Sequence, residues 1–101
     1  MVNSRNKGSR NELKCVKALN STNLVYRVPA SRMWQKQEDI FGLWDIFTID
    51  KEGLAKPRLI QVRTNHTKNI SKHKEFAQKY NNMHCEIWVY RDYKELRIIE
   101  L

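Results

Sequence analysis

The sequence predicts an α/β domain: a mixed β-sheet flanked by helices, in the order helix, three strands, helix, two strands. Three observations predict it. Apolar residues recur at helical spacing in two separated stretches, five short runs rich in β-branched and aromatic residues fall between and after them, and turn formers mark the junctions. The 101 residues make one small domain, 1–101, and 41% apolar residues suffice for its single core.

Residues 1–8 are polar and basic and read as a mobile basic arm. From about Ser9 or Asn11 to Leu19 the apolar positions Leu13, Val16 and Leu19 fall at three-residue steps, with Cys15 and Ala18 beside them, which is an amphipathic helix. Glu12 lies on the edge of that stripe. Asn20 to Asn23 stops the helix, and Leu24 to Val28 follows as a short strand closed by Pro29, which cannot donate a ladder bond. Residues 30–37 are mostly polar and read as a loop. A second strand runs from about Trp44 to Ile49, and Asp50-Lys51-Glu52-Gly53 has hairpin composition. Leu59 to Arg63 is the third strand. After a polar connection, Ser71 to about Tyr80 forms the second helix, with Phe76, Ala77 and Tyr80 on one face. Cys85 to Tyr90 and Leu96 to Ile99 are the last strands, the final one at a sheet edge. Short hairpins join the first three strands, and the second helix is the crossover that returns the chain to the sheet.

Charge is the informative bulk property. Nineteen Lys and Arg against eleven Asp and Glu leave +8. That excess on so small a domain favours a polyanion, with nucleic acid ahead of an anionic membrane surface. No stretch approaches a membrane span, and the basic N-terminus lacks the apolar segment of a secretory signal. Cys15 and Cys85 lie far apart in apolar surroundings, without zinc-site spacing, and read as buried free thiols of a cytoplasmic protein.

The chemistry concentrates in Glu38-Asp39-Ile40-Phe41-Gly42-Leu43-Trp44-Asp45, followed at once by an apolar strand. A carboxylate entering a buried strand loses hydration, which is costly unless a cation or hydrogen bonds replace the water. Two readings are open on this stretch alone: Asp45 caps a turn or pairs with a Lys or Arg, or it is a metal ligand. On the next strand, Gln61 and Arg63 project from one face and Val62 from the other. Polar residues at both positions of so apolar a strand mark a site, and Glu12 can cover the same region.

At this point the sequence resembles the PD-(D/E)XK nuclease superfamily, and within it the archaeal Holliday-junction-resolvase-like branch, with Gln and Arg in the third motif. Lys7-Gly8-Ser9-Arg10-Asn11-Glu12-Leu13 looks like the first motif. Asp45-Ile46 looks like the second and Ile60-Gln61-Val62-Arg63-Thr64 like the third, with Tyr26 to Ser31 resembling the segment between. The resemblance spans nearly the whole chain and rests on the order and spacing of the motifs. It implies a restriction-endonuclease-like αβββαβ core and Mg²⁺- or Mn²⁺-dependent hydrolysis of DNA phosphodiesters, with a preference for branched DNA and a homodimeric assembly. It further implies Asp45 as direct metal ligand, with the Gln61 side chain and the Val62 carbonyl beside it. Glu12 would act through water, and Arg63 would orient the nucleophile or stabilise developing charge.

Two residues depart from the pattern. Gln61 stands where an acid is usual and brings no charge. Arg63 stands where Lys is usual and cannot act as a general base, although it can clamp a phosphate. Asp39 or Glu38 could supply the missing carboxylate. Three functions follow in order of preference: a metal-dependent endonuclease, a catalytically inactive nuclease-fold protein that binds nucleic acid, and a basic assembly protein. Arg5, Lys7, Arg10, Arg32, Lys36, Lys68, Lys72 and Lys74 are the expected phosphate contacts. Trp34 either stacks on a base or folds onto the core, Trp44 and Trp88 read as core, and the histidines receive no role.

Overall fold

The computed structural model describes residues 4–29 and 39–101, with side chains from Arg10 onward. Helix α1 (Ser4–Leu19) leads into strands β1 (Asn23–Arg27), β2 (Ile46–Asp50) and β3 (Arg58–Thr64). Helix α2 (Ser71–Lys79) then precedes β4 (His84–Tyr90) and β5 (Arg97–Glu100). The five strands form one sheet in the order β1-β2-β3-β4-β5. Only the β3–β4 pair, joined through α2, is parallel; the other three are antiparallel. The predicted αβββαβ core and mixed sheet are therefore present, with β5 at an edge.

Two boundaries differ from the expectation. Helix α1 begins at Ser4, so the basic arm expected over 1–8 is helical for most of its length. A single Gly8 inside a helix costs only about 1 kcal/mol relative to Ala, which is too little to set the boundary. Strand β2 begins at Ile46 and not Trp44, because Trp44 is bridged back to Ile40.

Strand alternation divides the core into two layers. On one face Cys15 and Leu19 of α1 pack against Ile46, Ile60 and Trp88, flanked by Val16, Val25, Val62 and Tyr90. On the other, Trp44, Leu59 and Cys85 lie beneath Phe76 and Ala77 of α2, with Leu101 closing the edge. Both cysteines are free and buried, and burial raises the Cys15 thiol to about 12. The nine residues of α2 span only about 14 Å, so they leave Tyr26 and Phe41 on that face exposed. Inside β4 the buried Glu86 is held by Arg58 through two hydrogen bonds of 2.9 Å and by the Trp88 indole N–H at 2.9 Å. Burial pushes Glu86 upward, but those bonds and the Arg58 charge outweigh it and hold its pKa below the ordinary value. Among the described residues no helix is long and apolar enough to cross a membrane.

Candidate active site

A tight turn brings the two acids of the Asp39–Asp45 stretch together. Ile40 and Trp44 form an antiparallel bridge, Ile40 N–H donating to the Trp44 carbonyl at 2.7 Å and Trp44 N–H returning to Ile40 at 3.1 Å. The chain reverses through Phe41 at φ 53° and Gly42 at φ 73°. This left-handed conformation suits glycine and strains phenylalanine. In an antiparallel register the residues flanking a bridged pair face each other, so Asp39 and Asp45 meet at the mouth of the turn. His73 on α2 fastens the turn from below: its Nε2 donates to the Leu43 carbonyl at 3.1 Å, and its ring lies edge-on to Trp44 at 5.0 Å. Burial lowers the pKa of His73 and favours the neutral ring.

Asp45 sits where the sheet opens. Its backbone N–H donates to Ile60 at 2.9 Å and its carbonyl accepts from Val28 at 3.0 Å. The next ladder position is filled by its own side chain, Oδ2 accepting from Val62 N–H at 2.9 Å. The N–H and C=O of a strand residue point to the same edge, so the Val62 carbonyl also faces this gap. Burial raises the Asp45 pKa, the Val62 bond opposes that, and the Asp39 and Glu12 charges with a side-chain hydrogen bond to Asp39 add to it, reaching about 7. Near neutral pH the Asp45 carboxyl therefore still carries its proton in part.

Glu12, on α1, carries an ion pair with Arg27 at 3.4 Å. Burial raises its pKa and Arg27 lowers it, while Asp39 pushes it further up, so the net direction is upward. Three carboxyl groups from two segments thus feel one another. Among the described residues, no three His, Cys, Asp or Glu side chains converge closely enough to enclose a metal by themselves. The donor set is all oxygen and partly carboxylate, which fits Mg²⁺ or Mn²⁺, ions that keep waters and complete their shell with substrate phosphate.

Gln61 and Arg63 face the α2 side and bind each other. Arg63 Nε donates to Gln61 Oε1 at 2.7 Å, Nη2 to the Asn69 carbonyl at 3.1 Å, and Nη1 to the Lys68 carbonyl. Asn65 and Asn69, at φ 65° and 60°, shape the connection that Arg63 holds. Burial lowers the Arg63 pKa, and the attraction of Asp45 opposes that. Arg63 is thus a fixed charge facing Asp45, with most of its donors engaged, and Gln61 Oε1 already carries a hydrogen bond.

Of the expected phosphate contacts, Arg10, Lys68, Lys72 and Lys74 are exposed. Arg5 and Lys7 lie on the α1 backbone ahead of the described side chains, and Arg32, Lys36, Trp34 and Glu38 lie outside the described residues. Trp44 and Trp88 are core residues. Sequence reasoning undervalued Asp39, although Asp39 and Asp45 stand symmetrically about Gly42, the pattern of a turn that makes its flanks meet. It missed His73, for which the sequence carries no signal.

No family model matches the chain, and no curated protein sequence matches it. Among solved structures it is similar to Hjc, a Holliday junction resolvase of the archaeal hyperthermophile Archaeoglobus fulgidus. The TM-score is 0.59 at 15% identity, over 93% of this chain and 72% of that one. At that identity the likeness establishes the shared fold.

Proposed function

We propose that the chain is a metal-dependent endonuclease hydrolysing DNA phosphodiesters, with a preference for branched DNA. The observation that carries this reading is Asp45, buried where its carboxylate fills a ladder position between β2 and β3, with the Asp39 and Glu12 carboxyls close enough to raise its pKa to about 7. The fold shared with a Holliday junction resolvase and the +8 charge point to the same partner. Asp45 would hold Mg²⁺ or Mn²⁺ with the Val62 carbonyl, Asp39 supplying the second carboxylate that Gln61 lacks. Glu12 would act through water, and Gln61 would serve at most as a neutral ligand. The metal supplies charge neutralisation at the phosphate oxygens and acidifies a bound water. Arg63 holds positive charge beside Asp45, fixed by Gln61 and two carbonyls, and stays protonated throughout. A cytoplasmic homodimer is part of this reading, since branched DNA offers two equivalent strands.

A second reading rests on the clasp between Gln61 and Arg63. If both side chains serve only to hold the connection to α2, the protein binds nucleic acid without cutting it. Incubation with linear, flapped and four-way DNA in Mg²⁺, Mn²⁺ or EDTA separates the two. The first reading expects cleavage with metal only, fastest on the four-way substrate. Intact DNA under every condition, with binding retained, selects the second.

A further inference from the structure

A cavity of about 230 Å³ opens on the α1 side of the sheet, where α1 crosses the end of β4. Arg10, Asn11 and Lys14 line it from the helix, Tyr90 from β4, and Arg91, Asp92 and Lys94 from the turn that follows, with Leu96 at the margin. Four cationic side chains thus surround one polar recess against a single acid. The Asp92 carboxylate accepts from the Asn65 amide at 2.9 Å, and Asp92 N–H donates to Asn65 Oδ1 at 2.8 Å. Arg91 is held in place by Nε and Nη2 bonds of 3.0 and 2.9 Å to the Glu95 carbonyl. Lys14 Nζ lies 5.7 Å from the centre of the Tyr90 ring. At about 30 Å³ per water, the recess holds several waters, room for a phosphate group and its shell.

Its placement relates it to Asp45. Arg10, Asn11 and Lys14 bracket Glu12 on α1, and the Asn11 amide bonds Thr64 of β3 at 2.8 Å. Thr64 is paired with Tyr90, two residues beyond the Val62 that holds Asp45. The recess therefore lies at the same end of the sheet as the acids, two strands away, or about 10 Å at the usual spacing. A nucleic acid strand carries a phosphate at every nucleotide, so a strand across Asp45 would present another phosphate here within a few nucleotides.

We infer that this recess is a phosphodiester-binding site, in which Lys14, Arg91 and Lys94, with Arg10 at the rim, hold the backbone of a DNA strand beside the Asp39–Asp45 pair. The inference rests on the DNA partner proposed above, and not on cleavage. Each phosphate neutralised by a cation contributes about 0.9 to the slope of log affinity against log salt.

The test is binding of four-way and linear DNA by fluorescence anisotropy in EDTA, over a series of salt concentrations. Wild type is compared with Lys14→Ala/Lys94→Ala and with Lys17→Ala/Lys51→Ala, a charge-matched control at the opposite end of the sheet. Circular dichroism confirms that all three fold. The pocket variant should lose about tenfold in affinity and one to two units of salt slope, against less than threefold and an unchanged slope for the control. Equal loss in both variants, or a wild-type slope in the pocket variant, overturns the site while leaving DNA binding intact. A wild type that binds no DNA removes both this site and the proposed function. Binding here, with DNA left intact in the Mg²⁺ and Mn²⁺ incubations above, removes only the nuclease.

Discussion

At the scale of single residues, the controlling fact is that Asp45 is an acid whose folded state favours the proton. Its pKa rises from 3.8 in the free side chain to about 7 in the fold. Between those values the native state binds more protons than the unfolded chain, so stability falls as pH rises through this window and stays low above it. At 1.36 kcal/mol per unit, the penalty above pH 7 is at most about 4 kcal/mol. Asp45→Asn keeps an oxygen for the Val62 N–H and removes the titration. It should melt close to wild type at pH 4 and about 10 °C higher at pH 8, each kcal/mol shifting a domain of this size by several degrees. Mg²⁺ should narrow that gap by stabilising only wild type. Thermal scans at both pH values check this, and a gap independent of pH would contradict the assignment. Arg63 illustrates the reverse situation. Its charge faces Asp45, yet its geometry is set by Gln61 and the Lys68 and Asn69 carbonyls. Any part it takes in chemistry is that of a fixed cation.

At the scale of elements, the site depends on how three connections are made. The turn through Phe41 and Gly42 places Asp39 opposite Asp45, His73 ties that turn to α2, and Arg63 ties α2's leading segment to β3. No atom lies within 4 Å of a Cβ built on Gly42, so substitution there acts through backbone conformation alone. Gly42→Ala should cost about 1 kcal/mol in denaturant unfolding, and should lower Mg²⁺ affinity in calorimetry by loosening the acid pair. Unchanged values for both would show that the turn does not set the site. The strands and α2 were legible in the sequence because period-two and helical patterning follow directly from which side chains are buried. Asp45, Gln61 and Arg63 were legible as polar residues where a strand should be apolar. The meeting of Asp39 with Asp45 was not, because it requires Phe41 at positive φ, a conformation that its residue type does not favour. The Arg63 clasp was hidden for a similar reason. Its partners are backbone carbonyls, which every residue carries and no sequence pattern marks.

At the scale of the molecule, a sheet covered by α1 on one face and half-covered by α2 on the other leaves its candidate site residues at one end. Glu12 enters from α1, Asp39 and Asp45 from the turn before β2, Val62 and Arg63 from β3, and the basic recess from the end of β4. The apolar layers supply rigidity, and the end of the sheet combines a few acids with a basic surround in a chain of net charge +8. On the proposed function, that pattern suits an anionic polymer brought against the acid pair, the surround attracting the backbone and the acids holding the cation that neutralises it. The most direct test of this account is the cleavage rate of four-way DNA in Mg²⁺ by wild type and Asp45→Asn, with binding measured in parallel in Ca²⁺. The account predicts cleavage by wild type, at least a hundredfold loss in Asp45→Asn, and DNA affinity in Asp45→Asn within about threefold of wild type. Equal cleavage by both proteins, or none by either, would contradict it.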